Sequence, residues 1–322
     1  MNNTTDESIR SEEPPHGRLL PRGTSSARIL AAVFLSVMVA LSGYTYWNDF
    51  QVATSRSADL MQALTKAADE QINGSLRTID LLLQHVGNYL AASDVEEPRA
   101  IYQALHLQAR AFPEVRSLFV ADSSGMLRGD PDGQRSVAHR AYFRLQAQLF
   151  RLNQVVIDGP HVEDEGDEPQ IILSRPITAS DGSFKGIVGA VLSTSFFSDP
   201  LKLVGLDGEG TAMLLNTNGV VLARFPASQE WVGRSLAQTR LMAREMTHHP
   251  DGVFRSQGDM GSIDQVISYR LLENYPLVVA TGIPMEGISS RWWETTRLKV
   301  AIELALAVIL FMLAHNLDGR ER

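Results

Sequence analysis

Several arginines stand among apolar and aromatic residues in this chain, and they are its chemically most suggestive groups. Arg175 lies in Ser174-Arg175-Pro176, inside the apolar run Ile171 to Ile177. An arginine near the end of a strand, before a proline that limits further pairing, points either into solvent or into a cleft, and we read a cleft. Arg140 belongs to His139-Arg140-Ala141-Tyr142-Phe143, and Arg128 closes the short strand pattern Met126 to Arg128. A guanidinium presents a planar fork to a carboxylate, and an aromatic ring walls a pocket or stacks on a cation. This is the chemistry of recognition. The sequence shows no nucleophile elbow, phosphate loop or metal-ligating His-Glu motif, and the turn Gly205 to Gly210 lacks the following helix that a dinucleotide site needs. We therefore expect neither an enzyme nor a cofactor.

Each of these residues also has a plainer reading. Arg140 and Arg175 can pair with Asp158 or a backbone carbonyl, and Tyr142 and Phe143 sit at the spacing of a helical core face. Arg128 fits an exposed turn, and Arg224 a structural role. His139 and the pair His248-His249 fit a surface or capping role as well as a metal. The carboxylates Glu163, Asp164, Glu165, Asp167 and Glu168 lack the alternation and glycine of a calcium loop, so a solvated loop is expected there.

The elements that must position these groups follow from pattern. Ile171 to Ile177 and Gly186 to Ser193 flank Ala179-Ser180-Asp181-Gly182, which reads as a β-hairpin of a central sheet. Val115 to Asp122 reads as a strand, Ser136 to Leu152 as a helix, and Val155 to Ile157 as a strand stopped by Gly159-Pro160. After Asp199-Pro200 the same grammar returns. Gly210 to Asn216 and Val220 to Arg224 form a hairpin across Asn218-Gly219, and Leu236 to Met246 reads as a short helix. Gly252 to Arg255, Gln265 to Leu271 and Leu277 to Gly282 complete a second sheet. Ahead of both, Ile72, Leu76, Ile79, Leu83, Val86 and Leu90 advance by fours and threes along one long helix. Such a stripe serves either as a seam between two copies or as a face laid on the protein's own sheet, the latter for its distal half. Pro98 opens another helix ending near Phe112-Pro113.

Ile29 to Trp47 carries no charge and has about the ~20 residues that cross a bilayer; Val300 to Leu317 is a second span, with Glu303 one turn inside it. Tyr44, Tyr46, Trp47, Trp292 and Trp293 lie where interfacial belts belong. A cleaved signal peptide is the alternative for the first segment, but its apolar run is longer than a signal core and follows a polar tail. Arg18, Arg22 and Arg28 precede the first span and Asn48 and Asp49 follow it, which keeps the N-terminus in the cytoplasm; a second span returns the C-terminus there. A net charge of -8 with both signs dispersed leaves no basic footprint for nucleic acid, and the absence of cysteine excludes thiolate metal sites, thiol catalysis and disulfides.

The motifs named above, in order with Asp181-Gly182-Ser183-Phe184-Lys185-Gly186 and Asn218 to Pro226, resemble the double Cache domain, a tandem PAS-like extracytoplasmic sensor of bacterial histidine kinases, chemoreceptors and membrane diguanylate cyclases. Together they resemble the subgroup seen in front of diguanylate cyclases. The resemblance covers about residues 48–290. It implies an α+β fold of two PAS-like antiparallel-sheet modules on a long N-terminal stalk helix, flanked by two transmembrane helices. The divisions are a disordered cytoplasmic tail at 1–28, a span at 29–47, the stalk at 48–92, a membrane-distal module at 93–200 and a membrane-proximal module at 201–290. A second span at 298–317 and a tail at 318–322 complete the chain.

By the same resemblance, ligand sits in the distal module between the sheet and its helical cover. The cover holds His139, Arg140, Tyr142 and Phe143, the sheet side Ser174 and Arg175, and Arg128 is a third pocket cation. Amino-acid-binding members carry an aromatic residue five positions before the arginine and an aspartate late in the sheet. Here those places hold Arg135 and the acid-free Ser193-Thr194, which favours an anionic metabolite.

The functional expectation is a sensor in a bacterial inner membrane, with residues 48–298 extracytoplasmic, acting as a homodimer. Only Asp318 to Arg322 follow Leu317, so the output is expected from a partner kinase or diguanylate cyclase or from a domain beyond this chain. The alternative is a structural two-span assembly factor such as a polysaccharide chain-length regulator, which would rely on extended helices instead of strands.

Overall fold

The computed structural model describes residues 26–92, 112, 115–129, 135–162, 168–202, 210–228, 230–257, 261 and 263–320. The expected helix from Pro98, almost all of the 1–28 tail and the acidic loop, and the turn at Gly205 lie outside them.

Helix α1 runs unbroken from Ser26 to Ala92. The next elements are β1 (Val115–Asp122), β2 (Leu127–Arg128), α2 (Ala141–Leu149) with a 3₁₀ turn at Phe150–Leu152, β3 (Val156–His161), β4 (Gln170–Thr178), β5 (Phe184–Ser193) and α3 (Ser195–Lys202). A second set comprises β6 (Thr211–Asn216), β7 (Val221–Phe225), α4 (Met246–His248) preceded by a π-turn at Leu241–Glu245, β8 (Asp251–Gln257), β9 (Asp264–Leu271) and β10 (Leu277–Pro284). Helix α5 (Met285–Arg320) follows. The strands make two antiparallel five-stranded sheets, β2-β1-β5-β4-β3 and β7-β6-β10-β9-β8, with the same connectivity. The fold is thus α+β with two modules of one design and a long N-terminal helix.

The chain divides into two compact units. Residues 51–292 form one, and 1–50 with 293–322 the other. In the first, Ile72, Leu76, Ile79 and Leu83 are fully buried or nearly so, which places the apolar stripe of α1 in the core of its own chain. Strand β4 is buried along nearly its whole length because both of its faces are covered. Ile172 belongs to the cluster that includes Tyr142 and Phe143 of α2. Arg175, of the opposite parity, bonds Asp80 of α1.

In the second unit, Lys299 donates to Asp49 at 3.2 Å, and Val33, Phe34, Val37, Leu304, Val308 and Phe311 are all exposed. Among the described residues one helix, from Ile29, is long and apolar enough to cross a membrane. The other expected span lies on α5.

Three local expectations are corrected. Ser136 bridges to Met126, and the backbone N–H groups of Leu127 and Val137 donate to the Arg135 and Gly125 carbonyls, so residues 135–137 extend an edge of the sheet and the helix begins only at Ala141. Strand β3 continues through Gly159-Pro160 to His161, the register with β4 shifting between Asp158 and His161, so the proline is absorbed in an irregularity at the sheet's edge. In the second module, Leu236 closes a turn back onto Gly219, and helical bonding begins later, at Leu241.

Candidate functional site

Helix α2 covers one face of the first sheet. Its buried side chains are Tyr142, Phe143 and Gln146, and the two aromatic ones meet Ala121, Val137, Ile172 and Ile187 in one apolar cluster. The aromatic contacts are edge-on: Phe119 with Tyr142 at 6.0 Å, Tyr142 with His161 at 6.4 Å, and Phe143 with Phe184 at 6.1 Å. Gln146 fixes the far end of the helix, because its Nε2 donates to the Ser174 carbonyl at 2.6 Å and to the Gln154 carbonyl at 3.1 Å.

The near end is held from across the sheet. Arg140, the residue that caps α2, has extended backbone angles and makes no side-chain cap bond. The acceptor for the first turn comes instead from Asp158 on β3, which takes the backbone N–H of Tyr142, the N–H of Gly159 at 3.1 Å and a bond from His161 Nε2 at 3.1 Å. The bond to His161 is the largest influence holding the Asp158 carboxyl below its usual value, and the backbone donors reinforce it. With that carboxylate committed to three donors, the half-buried Arg140 guanidinium has no hydrogen-bond or ion-pair partner among the described residues.

The seven expected residues do not converge on one surface. Arg140, Tyr142 and Phe143 share α2 and its start, and Ser174 lies beneath the same helix, fully buried beside Gln146. His139 and Arg128 are exposed, Arg128 within electrostatic reach of Asp122. Arg175 is on the opposite face of β4. Its Nε and Nη2 both bond the Asp80 carboxylate of α1, and its Nη1 donates to the Asn153 carbonyl at 2.6 Å. The expectation that Arg175 joins Arg140 is corrected by strand parity: adjacent residues of a strand project to opposite sides.

Sequence reasoning missed Asp80, Gln146 and His161. Asp80 follows Leu76 by four and precedes Leu83 by three, both buried, so it borders the apolar stripe where a charge requires a partner. Gln146 and His161 carried no comparable signal. His248 is exposed and its Nδ1 lies 2.7 Å from the Arg244 carbonyl, and no His and acidic group suited to a metal occurs among the described residues.

A family model described as a Cache domain, dCache_1, matches residues 51–292. The chain belongs to the Cache domain family. Solved structures agree at the level of fold. The extracellular domain of rpHK1S-Z16, described as a histidine kinase, is 22% identical with a TM-score of 0.66, the match covering 74% of this chain and 99% of that one. The ligand-binding domain of the Pseudomonas aeruginosa amino acid chemoreceptor PctC, solved with GABA, is 18% identical with a TM-score of 0.55, covering 70% and 99%. That of the Pseudomonas fluorescens chemoreceptor CtaA, solved with L-alanine, is 16% identical with a TM-score of 0.54, covering 70% and 96%. No curated protein matches the sequence significantly. This Cache chain therefore shares its fold with the extracellular, ligand-binding portions of kinases and chemoreceptors.

Proposed function

We infer that this protein is an extracytoplasmic sensor of a bacterial membrane signalling system, that its distal module takes a small anionic metabolite, and that it is not an enzyme. The observation that carries the anionic class is the contrast between two charges at the start of α2. Asp158 is committed to His161 and two backbone N–H groups, while Arg140 is uncommitted among the described residues. An anion supplies the missing partner, with Tyr142 and Phe143 forming the apolar wall behind it.

The apolar start of α1 anchors the chain in the membrane, and the exposed Leu304, Val308 and Phe311 of α5 suit a second span that returns the C-terminus to the cytoplasm. Two copies pair so that the spans have something to move against, and occupancy biases two arrangements of α1 read by a kinase or a diguanylate cyclase.

The test is thermal denaturation of the full chain in detergent against organic acids, amino acids, amines and purines. An organic acid at ~100 times its dissociation constant adds about 2.7 kcal/mol of stability. Arg140→Ala abolishes that response; Arg175→Ala lowers the starting stability but keeps it. Response to amines alone, or a full response from Arg140→Ala, rejects the reading.

A further inference from the structure

A cleft of about 540 Å³ opens on the other side of the first sheet, away from α2. Three parts of the chain line it. Arg77 and Asp80 come from α1, Asn153, Gln154, Val155 and Arg175 from the distal module, and Asn274, Tyr275 and Pro276 from the turn before β10. Nothing in the sensor reading uses this cleft.

Its polar groups fall into two classes. Asp80 and Arg175 neutralise one another, with Arg175 Nη1 also bonded to the Asn153 carbonyl. They form a fixed floor. Arg77 and Tyr275 are different. The Tyr275 ring is buried, while its hydroxyl keeps access to solvent and has no hydrogen-bond partner among the described residues. Burial is the largest influence pushing that phenol up to about 12, with Asp80 adding to it, so the hydroxyl stays protonated and available as a donor. The Arg77 guanidinium makes no hydrogen bond or ion pair among the described residues, and it lies within electrostatic reach of Tyr275. Lining charge is then one uncompensated cation, together with the Tyr275 hydroxyl and the side-chain amides of Asn153, Gln154 and Asn274.

We propose that this cleft is a second ligand site, for a small hydroxycarboxylate whose carboxylate takes the Arg77 fork and whose hydroxyl meets Tyr275 and the amides. A free guanidinium selects the carboxylate, and an unpaired hydroxyl lining the cleft favours a ligand with a polar group there over an apolar acid. The ligand touches α1, the distal module and the proximal module at once. Occupancy therefore ties the stalk to both modules, and the cleft acts as a regulator of the same helix that the distal site drives.

The experiment is calorimetric titration of the full chain in detergent micelles with L-lactate, L-malate and citrate, on the wild type and on Arg77→Ala, Tyr275→Phe and Arg140→Ala. At least one acid binds the wild type. Arg77→Ala weakens it about tenfold or more, as loss of a charge-assisted bond requires, and Tyr275→Phe, which keeps the packed ring, weakens it by a smaller factor. The part of the binding that Arg77→Ala removes persists in Arg140→Ala, which addresses only the distal site. The proposal is overturned if none of the three acids binds, or if Arg77→Ala and Tyr275→Phe bind like the wild type. Binding lost only in Arg140→Ala assigns the acid to the distal module, and rejects the cleft while leaving the sensor reading standing. Binding lost in Arg77→Ala alongside no response of the distal site to any organic acid has the opposite meaning.

Discussion

Arg175 of β4 and Asp80 of α1, ninety-five residues apart, form a two-point pair, with Nη2 2.9 Å from Oδ2 and Nε on Oδ1. Both side chains are largely withdrawn from solvent, at 10% and 13% exposed. Removing one partner strands a charge that was desolvated on folding. We expect Arg175→Ala and Asp80→Ala each to lower stability by about 3–5 kcal/mol. The double variant loses less than the sum, because neither charge is left behind. Urea denaturation of the four proteins checks this; additive losses would show that the pair contributes no coupling.

The acidic limb of stability depends on Asp158. Its folded-state carboxyl is held below the ordinary 3.8, chiefly by His161, so its contribution is present above that value and is lost as pH falls through the lower folded value. Asp158→Ala is expected to cost about 1.5–3 kcal/mol at neutral pH, the worth of hydrogen bonds to a charged acceptor. The gap between wild type and variant stays level while the pH is well above 3.8 and closes below it. Melting curves taken across that range decide the matter, and a gap that persists in strong acid would assign the loss to packing.

Legibility in the sequence followed the range of the interactions involved. The hairpin of β4 and β5 was readable because apolar parity and a Ser-Asp-Gly turn are local, and the structure pairs Ile172 with Val191 and Leu173 with Ala190 across it. The stripe from Ile72 to Leu83 was readable for the same reason. Strand order was not, since the placement of β5 between β1 and β4 depends on contacts across scores of residues. At the site, the identities of Arg140, Tyr142 and Phe143 stood out, but what faces them did not. Arg175 shows the limit most clearly: an arginine in an apolar run announces a buried partner, and only the fold names Asp80 instead of a ligand. The polar holders of α2, Gln146 and Asp158, act across the sheet, and nothing in their neighbours' spacing marks them.

Two glycines of one hairpin separate backbone strain from steric exclusion. Gly182 has φ +81° with nothing within 4 Å of where a Cβ would stand, whereas at Gly186, with φ +140°, the Cβ would press on the backbone of Ala121 and Asp122. Gly182→Ala costs only the left-handed strain, about 1–2 kcal/mol. Gly186→Ala adds a clash with main-chain atoms that cannot turn away, and is expected to exceed about 4 kcal/mol and deplete the soluble protein. Yield and thermal midpoint of the two variants test the ordering, and equal losses would contradict it.

A buried hydroxyl pair joins the stalk to the second sheet, and its two members are not equivalent. Thr65 of α1 and Thr281 of β10 lie 2.6 Å apart, both almost wholly buried. Thr65 has already given its proton to the Met61 carbonyl at 2.7 Å, so the shared proton must come from Thr281. Thr281→Val therefore leaves Thr65 with its own donor bond intact and costs about 1 kcal/mol. Thr65→Val has the same shape change but leaves the Thr281 hydroxyl without an acceptor in a dry site, for a cost of about 2–3 kcal/mol. Replacing both by valine removes the orphan and recovers part of the larger loss. Equilibrium unfolding of the three variants gives the order, and Thr281→Val proving the more damaging would reverse the assignment of donor and acceptor.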